Sequence, residues 1–343
     1  MSEEKLSKKQ AKYTSEDLKR LQSYPLWRKI QITKSRIIEF QQEFQNKTYI
    51  SSYISFSGGK DSTVLLHIAR QIYPDIPAVF IDTGLEYPEV REFALSQENV
   101  IRLKPEKNFR KVLEEYGYPL ISKDVSQQIY EARSCPGGYA DRRFDSNSEY
   151  NIKYNQRYSM EKWKWLLESD IPISHKCCHV MKKNPAKKYE KQTGLHPITA
   201  MMACESQFRK TNWLLHGCNA FDGKRPISHP MSFWTEQDVL EYLLEYNIPY
   251  ASVYGDIVKD KNGKLKTTGC YRTGCVFCGF GIMCDGEPNR FQRLKQTHPK
   301  LWEYCMKDWD KGGLGMKNIL EYIGVKTGEN ETDTENQNSM SDL

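Results

Sequence analysis

The sequence predicts a doubly wound α/β fold with a mostly parallel sheet, and two observations carry this prediction. The β-rich run at 49–56 ends at a glycine-containing loop, and the following VLLHIARQIY has apolar residues at helical spacing. Further β-like runs at 78–81, 100–103 and 196–199 are separated by stretches of helical pattern. Such alternation is typical of parallel strands covered by helices on both faces.

Composition limits the class of protein. The chain has 343 residues, 38% of them hydrophobic, and no run approaches the roughly 18 apolar residues that a membrane span needs. The N-terminus has no apolar secretion signal, so we expect a cytoplasmic protein without a membrane partner. In a reducing compartment the ten cysteines are core residues, metal ligands or nucleophiles. The net charge of +6 permits an anionic substrate without requiring one.

The chain divides into three parts at sequence level, with a loop predicted inside the second. Residues 1–48 form a predicted N-terminal helical extension, with one or two amphipathic helices in 25–44. The main domain is expected at 49–310, with a cysteine-rich part near 270–284 and a helix at 235–246 that Thr235 caps. Residues 134–158, rich in Gly, Ser, Asn and charge, indicate a long surface loop. Residues 326–343 have little apolar content, which predicts a disordered tail.

The loop after the first predicted strand has the chemistry of an anion site. A helix N-terminus presents unpaired amides, and glycines let the backbone approach phosphate oxygens. Lys60 adds positive charge, and Asp61 suits the site if Mg²⁺ bridges it to the phosphates. A tight turn without a ligand is the alternative. The nucleotide-binding candidates here are Ser57, Gly58, Gly59, Lys60, Asp61, Ser62 and Thr63.

The string SGGKDST resembles the signature of the PP-loop, or adenine nucleotide alpha hydrolase, superfamily. Asp82, Thr83 and Gly84 resemble the Asp-Thr-Gly segment of phosphoadenylyl sulfate (PAPS) reductases, where adenosine lies along the strand ends. The stretch HPMSFWTEQDVLEYL is similar to another segment of that family. The resemblance covers 49–310 and implies the alpha hydrolase fold and an adenine nucleotide, such as ATP, bound at 57–63 and 82–84.

The cysteines suggest an iron–sulfur site. Cys177 and Cys178 are adjacent, and Cys275 and Cys278 form a CxxC, so two segments offer four thiolates to a 4Fe-4S cluster. Cys270 with the CxxC matches the opening of a 2Fe-2S site, and adding Cys284 makes a zinc quartet. Metal-free buried thiols are the third alternative. The cluster-containing adenylyl sulfate reductases also have adjacent cysteines far upstream of a CxxC, and that resemblance implies that Lys182 or Lys183 lies near cluster and substrate anion.

Two further segments are candidates for substrate contact. Glu205, Ser206 and Arg209 resemble the reductase motif that meets the substrate anion, although Ala200–Met202 stands where the family has Gly-x-Arg. Arg209 could equally be a solvated arginine on a helix face. Aromatic and basic side chains alternate at 153–165, which is consistent with nucleic-acid contact or with a solvated amphipathic helix: Lys153, Arg157, Tyr158, Lys162, Trp163, Lys164 and Trp165.

Three functions are compatible with these features. The first is an Mg²⁺-dependent ATP pyrophosphatase that adenylates an acceptor for sulfur transfer, with Lys60, Asp61 and Arg209 as catalytic residues. Its sulfur donor would be a protein or a small thiol, and the resemblance makes nucleic acid a candidate acceptor. The second is a reductase of adenylyl or phosphoadenylyl sulfate, and the third a non-catalytic nucleotide-binding module. Family reductases use a cysteine in a C-terminal Glu-Cys-Gly-Leu/Ile-His motif, and no cysteine follows Cys305, so the sequence favours the first.

Overall fold

The computed structural model describes residues 11–44, 50–221 and 225–328, which divide into two compact units. The first unit comprises the described residues up to 82, 86–105 and 184–273. The second comprises 83–85, 106–183 and the described residues from 274 onward. The predicted helical extension is part of the first unit, because Leu18, Ile30 and Phe40 pack into the same core as the central strands.

The elements follow each other in the order that the alternation of the sequence predicts. From the N-terminus they are α1 (Ser15–Gln22), α2 (Leu26–Glu43), β1 (Ser52–Phe56), α3 (Lys60–Arg70), β2 (Ala78–Ile81), α4 (Pro88–Ser96), β3 (Val100–Leu103), α5 (Phe109–Tyr116), β4 (Leu120–Ile121), α6 (Lys123–Ser134), α7 (Tyr139–Arg142), α8 (Glu149–Lys153) and α9 (Lys164–Leu167). There follow α10 (Asn184–Thr193), β5 (His196–Ile198), α11 (Gln207–His216), β6 (Asn219–Ala220), β7 (Ile227–Ser228), α12 (Glu236–Glu245), β8 (Ile257–Lys259), β9 (Leu265–Thr267), β10 (Gly279–Phe280), α13 (Arg290–Thr297), α14 (Pro299–Met306) and α15 (Met316–Tyr322).

A six-stranded sheet organises the first unit, in the order β3-β2-β1-β5-β7-β6. All neighbours pair parallel except β6, which runs antiparallel to β7. Ile54 and Phe56 lie opposite Ala78 and Phe80. The predicted α/β class with a mostly parallel sheet is therefore confirmed.

Side chains alternate between the two faces of this sheet, and helices cover both faces. On one face Ile54 and Phe80 pack in a core with Phe40 of α2, Leu65 of α3 and Val239 of α12. On the other face Tyr53 and Val79 pack against Tyr189 of α10. Each parallel strand ends in a loop at its carboxyl end. Folds of this class bind their ligands at these loops.

The second unit is mostly helical, with a parallel two-stranded pair of β4 and β10. The loop predicted at 134–158 is wrong in part, because α7 and α8 lie within it. The buried Asn151 amide donates to the carbonyls of Arg142, Arg143 and Asp145, which fixes this polar segment from inside. The hydrogen bonds of this one side chain help to fix the backbone of the segment, which its polar composition does not indicate.

The predicted disordered tail at 326–343 falls largely on residues 329–343, outside the described residues. Its first residues differ from the prediction, because Thr327 is buried and its carbonyl accepts a 2.9 Å hydrogen bond from Trp302 Nε1. Across the described parts of the chain, no helix combines the length and the apolar character that crossing a bilayer requires.

Candidate functional site

The predicted phosphate loop joins β1 to the first turn of α3, at a carboxyl end of the parallel sheet. Gly58 has φ +72°, and a Cβ there would lie 2.7 Å from the carbonyl oxygen of Val90. Both facts require glycine at this position. Gly59 caps α3, and a Cβ on it would approach the Tyr254 hydroxyl to 3.1 Å. The two glycines therefore allow a close backbone turn at the helix N-terminus.

The hydroxyls of the loop bond to the loop itself. Ser62 Oγ donates to the Gly59 carbonyl over 2.9 Å, and Thr63 Oγ1 donates to the same oxygen over 3.1 Å. Ser57 Oγ accepts a 3.3 Å hydrogen bond from the Gly59 amide. These side chains, predicted as phosphate donors, thus also shape the loop.

Two residues from a distant segment meet the loop. The Tyr254 hydroxyl accepts a hydrogen bond of 3.3 Å from the backbone amide of Lys60. Thr273 Oγ1 lies 2.7 Å from the same hydroxyl. Sequence reasoning missed both residues, since nothing in their local pattern connects them with a loop some two hundred positions earlier.

Buried Lys60 and two partly exposed carboxylates form a charged group. The Lys60 side chain is 2% exposed, and its Nζ lies 3.1 Å from Glu236 Oε1 and 3.3 Å from Asp61 Oδ1. Although burial opposes its charge, these two acids raise the pKa of Lys60. Burial raises the pKa of Glu236, which the nearby Lys60 opposes. The sequence analysis missed Glu236, whose only signal was its place directly after Trp234 and Thr235.

The carboxylates of this group have too few hydrogen-bond partners. Three carboxylate oxygens are buried and accept no hydrogen bond from the described residues: both oxygens of Glu236 and Oδ1 of Asp61. Lys60 Nζ pairs by charge with Glu236 Oε1 and Asp61 Oδ1. Glu236 Oε2 has no hydrogen bond from the described residues, which is costly for a buried carboxylate oxygen. This donor set fits a divalent cation that prefers oxygen ligands.

The predicted anion-contact residues meet at a second charged group. Glu205 forms an ion pair with Arg209, and its Oε1 lies 3.3 Å from Arg272 Nη1. Burial, and then the charge of Arg272, lower the pKa of Arg209. Ser206 Oγ accepts the 3.2 Å hydrogen bond of the Arg209 amide, so this serine caps α11. The structure brings Glu205, Ser206 and Arg209 together and adds Arg272, which the sequence analysis missed.

The polar side chains of the segment at 82–84 form ion pairs or hydrogen bonds with other residues of the protein. Asp82 forms ion pairs with Arg91 and Arg102, which outweigh the effect of burial and lower the pKa of its carboxyl. Thr83 Oγ1 accepts a 3.1 Å hydrogen bond from the Leu85 amide. Gly84 has φ +73°, a conformation that favours glycine. Asp82 belongs to the first unit, whereas Thr83 and Gly84 belong to the second.

The four cysteines predicted as cluster ligands all lie in the second unit. Cys177 Sγ and Cys178 Sγ are 4.0 Å apart. The charges of Cys178, Cys278 and Cys275 each act on Cys177, so the four thiols share one neighbourhood. Cys284 is exposed.

Basic residues surround this neighbourhood. The Cys177 thiol donates to Cys178 and lowers its pKa, and Lys123, Lys182 and Lys183 act in the same direction. The predicted Lys182 and Lys183 thus lie near the cysteines. Among the described side chains, no three Cys, His, Asp or Glu residues are arranged to hold one metal ion. The thiols supply the donor chemistry of a cluster without forming a preset single-ion site.

The aromatic and basic segment is partly helical. A 3₁₀ turn at Glu161–Trp163 leads into α9, and the rings of Trp163 and Trp165 have centroids 6.5 Å apart. Lys162 Nζ lies 5.2 Å from the ring centroid of Trp163. Tyr158 packs against Tyr154 at 5.5 Å.

The chain is similar to several named proteins. An uncharacterised protein of Methanocaldococcus jannaschii is 27% identical over 73% of this chain, which spans only 39% of that relative. A phosphoadenosine 5'-phosphosulfate reductase of Xylella fastidiosa is 25% identical, with 57% of this chain and 64% of the relative covered. Sulfate adenylyltransferase subunit 2 of Brucella ovis is 24% identical, over 67% of this chain and 78% of the relative.

A crystal structure of phosphoadenylyl-sulfate reductase from Candida auris, in a phosphate complex, aligns with 73% of this chain and 97% of its own, at 15% identity and a TM-score of 0.36. The family described as the phosphoadenosine phosphosulfate reductase domain matches this sequence over residues 51–135 and 142–279. The resemblance inferred from SGGKDST is thus confirmed, and the chain belongs to the phosphoadenosine phosphosulfate reductase domain family.

Proposed function

We propose that this protein is an Mg²⁺-dependent ATP pyrophosphatase that adenylates an acceptor for sulfur transfer. The observation that carries the proposal is a set of buried carboxylate oxygens beside the glycine loop, Asp61 Oδ1 and both oxygens of Glu236, which accept no hydrogen bond from the described residues. Carboxylates repel a bare anion, so their presence at an anion-binding loop favours a substrate that arrives with a divalent cation.

Asp61 and Glu236 are the residues proposed to hold Mg²⁺. When bound, the ion neutralises charge on the phosphate oxygens and on the departing pyrophosphate. Lys60, buried and positively charged, is placed to stabilise the same leaving group, together with the amides at the start of α3.

The proposed reaction has two steps. An acceptor oxygen attacks the α-phosphorus of ATP, the bond from this phosphorus to the bridging oxygen breaks, and pyrophosphate leaves with the electron pair. The sulfur of a donor, either a protein or a small thiol, then attacks the acceptor atom that carries the adenylated oxygen and loses its proton to solvent. A bond from that atom to sulfur forms, its bond to oxygen breaks, and AMP leaves with this oxygen and the electron pair. The role proposed for the loop is to position ATP for the first step, which lowers the barrier by orientation and charge stabilisation.

We also propose that Cys177, Cys178, Cys275 and Cys278 hold a 4Fe-4S cluster. The support is that these thiols share one neighbourhood, with charges that act on each other. The competing local quartet is less favoured, because Cys284 is exposed. Bound there, a cluster would supply redox and sulfur-binding chemistry.

Nucleic acid is the proposed acceptor class. The support is the exposed ring of Trp165 beside Trp163, with Lys162 and Lys164 in the same short segment. Aromatic faces stack on bases, and lysines attract phosphates.

The second candidate function is reduction of adenylyl or phosphoadenylyl sulfate. The observation that favours it is the convergence of Arg209 and Arg272 on Glu205, which concentrates positive charge beside the residues that resemble the reductase motif. The relative from Xylella fastidiosa is named for this activity.

The test incubates purified protein with ATP and Mg²⁺ and measures AMP and pyrophosphate. We expect slow formation of both, with loss of at least about tenfold in Lys60→Ala, the size of effect that follows loss of a charged contact to the leaving group. Lys107→Ala, which removes an exposed lysine paired with Glu115, is the matched control. Sulfite release from adenylyl sulfate without any ATP cleavage would favour the second candidate.

A further inference from the structure

The anion-contact motif lacks a cation that a second segment of the chain supplies. Position 202 is a methionine, its side chain is buried, and its backbone amide donates a 2.9 Å hydrogen bond to Glu205 Oε2. The segment therefore contributes structure and no positive charge at this point. An anion bound here needs a cation from elsewhere.

Glu205 is the point at which two arginines converge. Arg209 pairs with it from α11, and Arg272 Nη1 lies 3.3 Å from Oε1. Two guanidinium groups therefore face this one carboxylate, and the charges of Asp61 and Glu236 also interact with them. The Arg272 side chain is 47% exposed, against 11% for Glu205, so the guanidinium of Arg272 is open to solvent.

The neighbours of Arg272 are bonded to the phosphate loop. The Tyr271 carbonyl accepts a 3.4 Å hydrogen bond from Lys60 Nζ. Thr273 Oγ1 lies 2.7 Å from the Tyr254 hydroxyl, which in turn accepts from the Lys60 amide. Arg272 therefore lies between two residues that are linked to the loop by hydrogen bonds.

The chemistry of the side chain suits this position. A guanidinium carries five N–H donors in a planar fork that matches tetrahedral oxyanions, and the contact with Glu205 Oε1 engages one end of it. Glu205 then orients the arginine, and an incoming anion takes the remaining donors.

We propose that Arg272 is a substrate-binding residue that supplies the cation missing at position 202 and, with Arg209, binds a tetrahedral oxyanion of the nucleotide. The oxyanion is a phosphate or a sulfate ester, and both present the same oxygens to the fork. This inference rests on the proposed function only in that the loop binds a nucleotide. It goes beyond that function by naming a residue outside the recognised motifs.

The test measures equilibrium binding of ATP, adenylyl sulfate and adenosine to the wild type, Arg272→Gln and Arg272→Lys. Arg36→Gln is the matched control, because Arg36 also pairs with a glutamate in the first unit and is 42% exposed. We expect Arg272→Gln to weaken binding of the nucleotide whose oxyanion it contacts by about 10- to 100-fold, as for a charge-assisted hydrogen bond. The affinity for adenosine should change less than about threefold, because loss of one ordinary hydrogen bond would change it by more than that.

The arms of the experiment identify the oxyanion. A loss confined to ATP assigns the β- or γ-phosphate, a loss confined to adenylyl sulfate assigns the sulfate, and a loss for both assigns the α-phosphate that they share. Arg272→Lys keeps the charge without the fork and should lose about fivefold, an effect that also tests the proposal if Arg272→Gln does not fold.

Three outcomes overturn the proposal. Wild-type affinity for both anionic nucleotides in Arg272→Gln, or in Arg272→Lys if that is the variant available, excludes a contact with the substrate. An equal loss for adenosine indicates a structural role. A wild type that binds no nucleotide is the third outcome and refutes the proposed function as well, whereas the first two outcomes refute only this inference when the wild type cleaves ATP.

Discussion

The hydroxyl of Tyr254 accepts a hydrogen bond from the backbone amide of Lys60, at 3.3 Å, where the phosphate loop becomes a helix. Amides at this position are the ones that an anion would use. Tyr254 is itself buried, and Thr273 lies 2.7 Å from its hydroxyl. The Tyr254 oxygen therefore occupies the position at this amide that we expect an oxygen of a bound anion to take.

Tyr254→Phe removes this oxygen and leaves the Lys60 amide available to phosphate. We expect ATP and pyrophosphate to bind about fivefold more tightly, because the ligand no longer has to displace the tyrosine hydroxyl from the Lys60 amide. A factor of this size corresponds to the ~1 kcal/mol of one hydrogen bond. Calorimetric titration measures the change, and Tyr250→Phe, which removes a hydroxyl bonded to the Gly255 carbonyl, is the control. Weaker binding in Tyr254→Phe would mean that the hydroxyl donates to the phosphate instead.

Glu236→Gln should raise the Mg²⁺ concentration needed for half-maximal pyrophosphate release by about tenfold or more, since it removes one of the two proposed carboxylate ligands. The control is Glu241→Gln, an exposed position on the same helix. An unchanged Mg²⁺ requirement in Glu236→Gln would remove this residue from the metal site.

The same site predicts a pH dependence. Burial raises the pKa of Glu236. A raised pKa means that, as pH falls, this carboxylate takes up its proton at a higher pH than an ordinary glutamate does. The Mg²⁺ requirement of the wild type should therefore increase as pH falls through this raised pKa, and the increase should be absent in Glu236→Gln. A wild-type Mg²⁺ requirement that is constant down to the ordinary glutamate range would contradict the prediction.

Lys29→Met should destabilise the first unit by about 3–5 kcal/mol, because it leaves a buried carboxylate without its cation. Lys29 Nζ lies 2.7 Å from both oxygens of Asp238, and the lysine side chain is 3% exposed. Asp238 also accepts the 2.7 Å hydrogen bond of the Thr235 amide, so the pair supports the turn that presents Glu236. Urea unfolding measures the loss. A change below about 1 kcal/mol, the level of an exposed ion pair, would show that Asp238 finds another partner.

Cys178→Ser should lose most of the bound iron and acid-labile sulfide of anaerobically purified protein, and Cys284→Ser should retain both. The reason is that a cluster needs each of its four thiolates, and Cys284 is exposed and is not among the thiols that act most strongly on Cys177. The reverse pattern would transfer the metal site to the local quartet. Iron and sulfide assays with absorption spectra make the comparison.

The strands and the loop could be predicted because their signals are local. Residues 78–81 and 100–103 are strands in the structure with the predicted bounds, and helix α12 begins directly after the predicted cap Thr235. Alternation of apolar residues and a capping residue are encoded within a few positions. The glycine loop is likewise a contiguous string.

The rest of the site could not be predicted because it depends on contacts between distant segments. Tyr254 and Tyr271 lie some two hundred positions after the loop, and no local pattern marks a tyrosine as its neighbour. Asn151 donates to three carbonyls of a polar segment, which composition cannot reveal. The four cysteines are selected by their spacing, because cysteine is rare and its chemistry narrow, and their role as cluster ligands stays a prediction.

The most direct measurement for the central claim is ³¹P NMR of the protein incubated with ATP and Mg²⁺, which identifies the phosphorus–oxygen bond that breaks. The account predicts resonances of AMP and pyrophosphate that depend on Mg²⁺ and disappear in Lys60→Ala. Formation of ADP and inorganic phosphate would contradict this prediction. So would a protein that leaves ATP intact but releases sulfite from adenylyl sulfate in a parallel incubation.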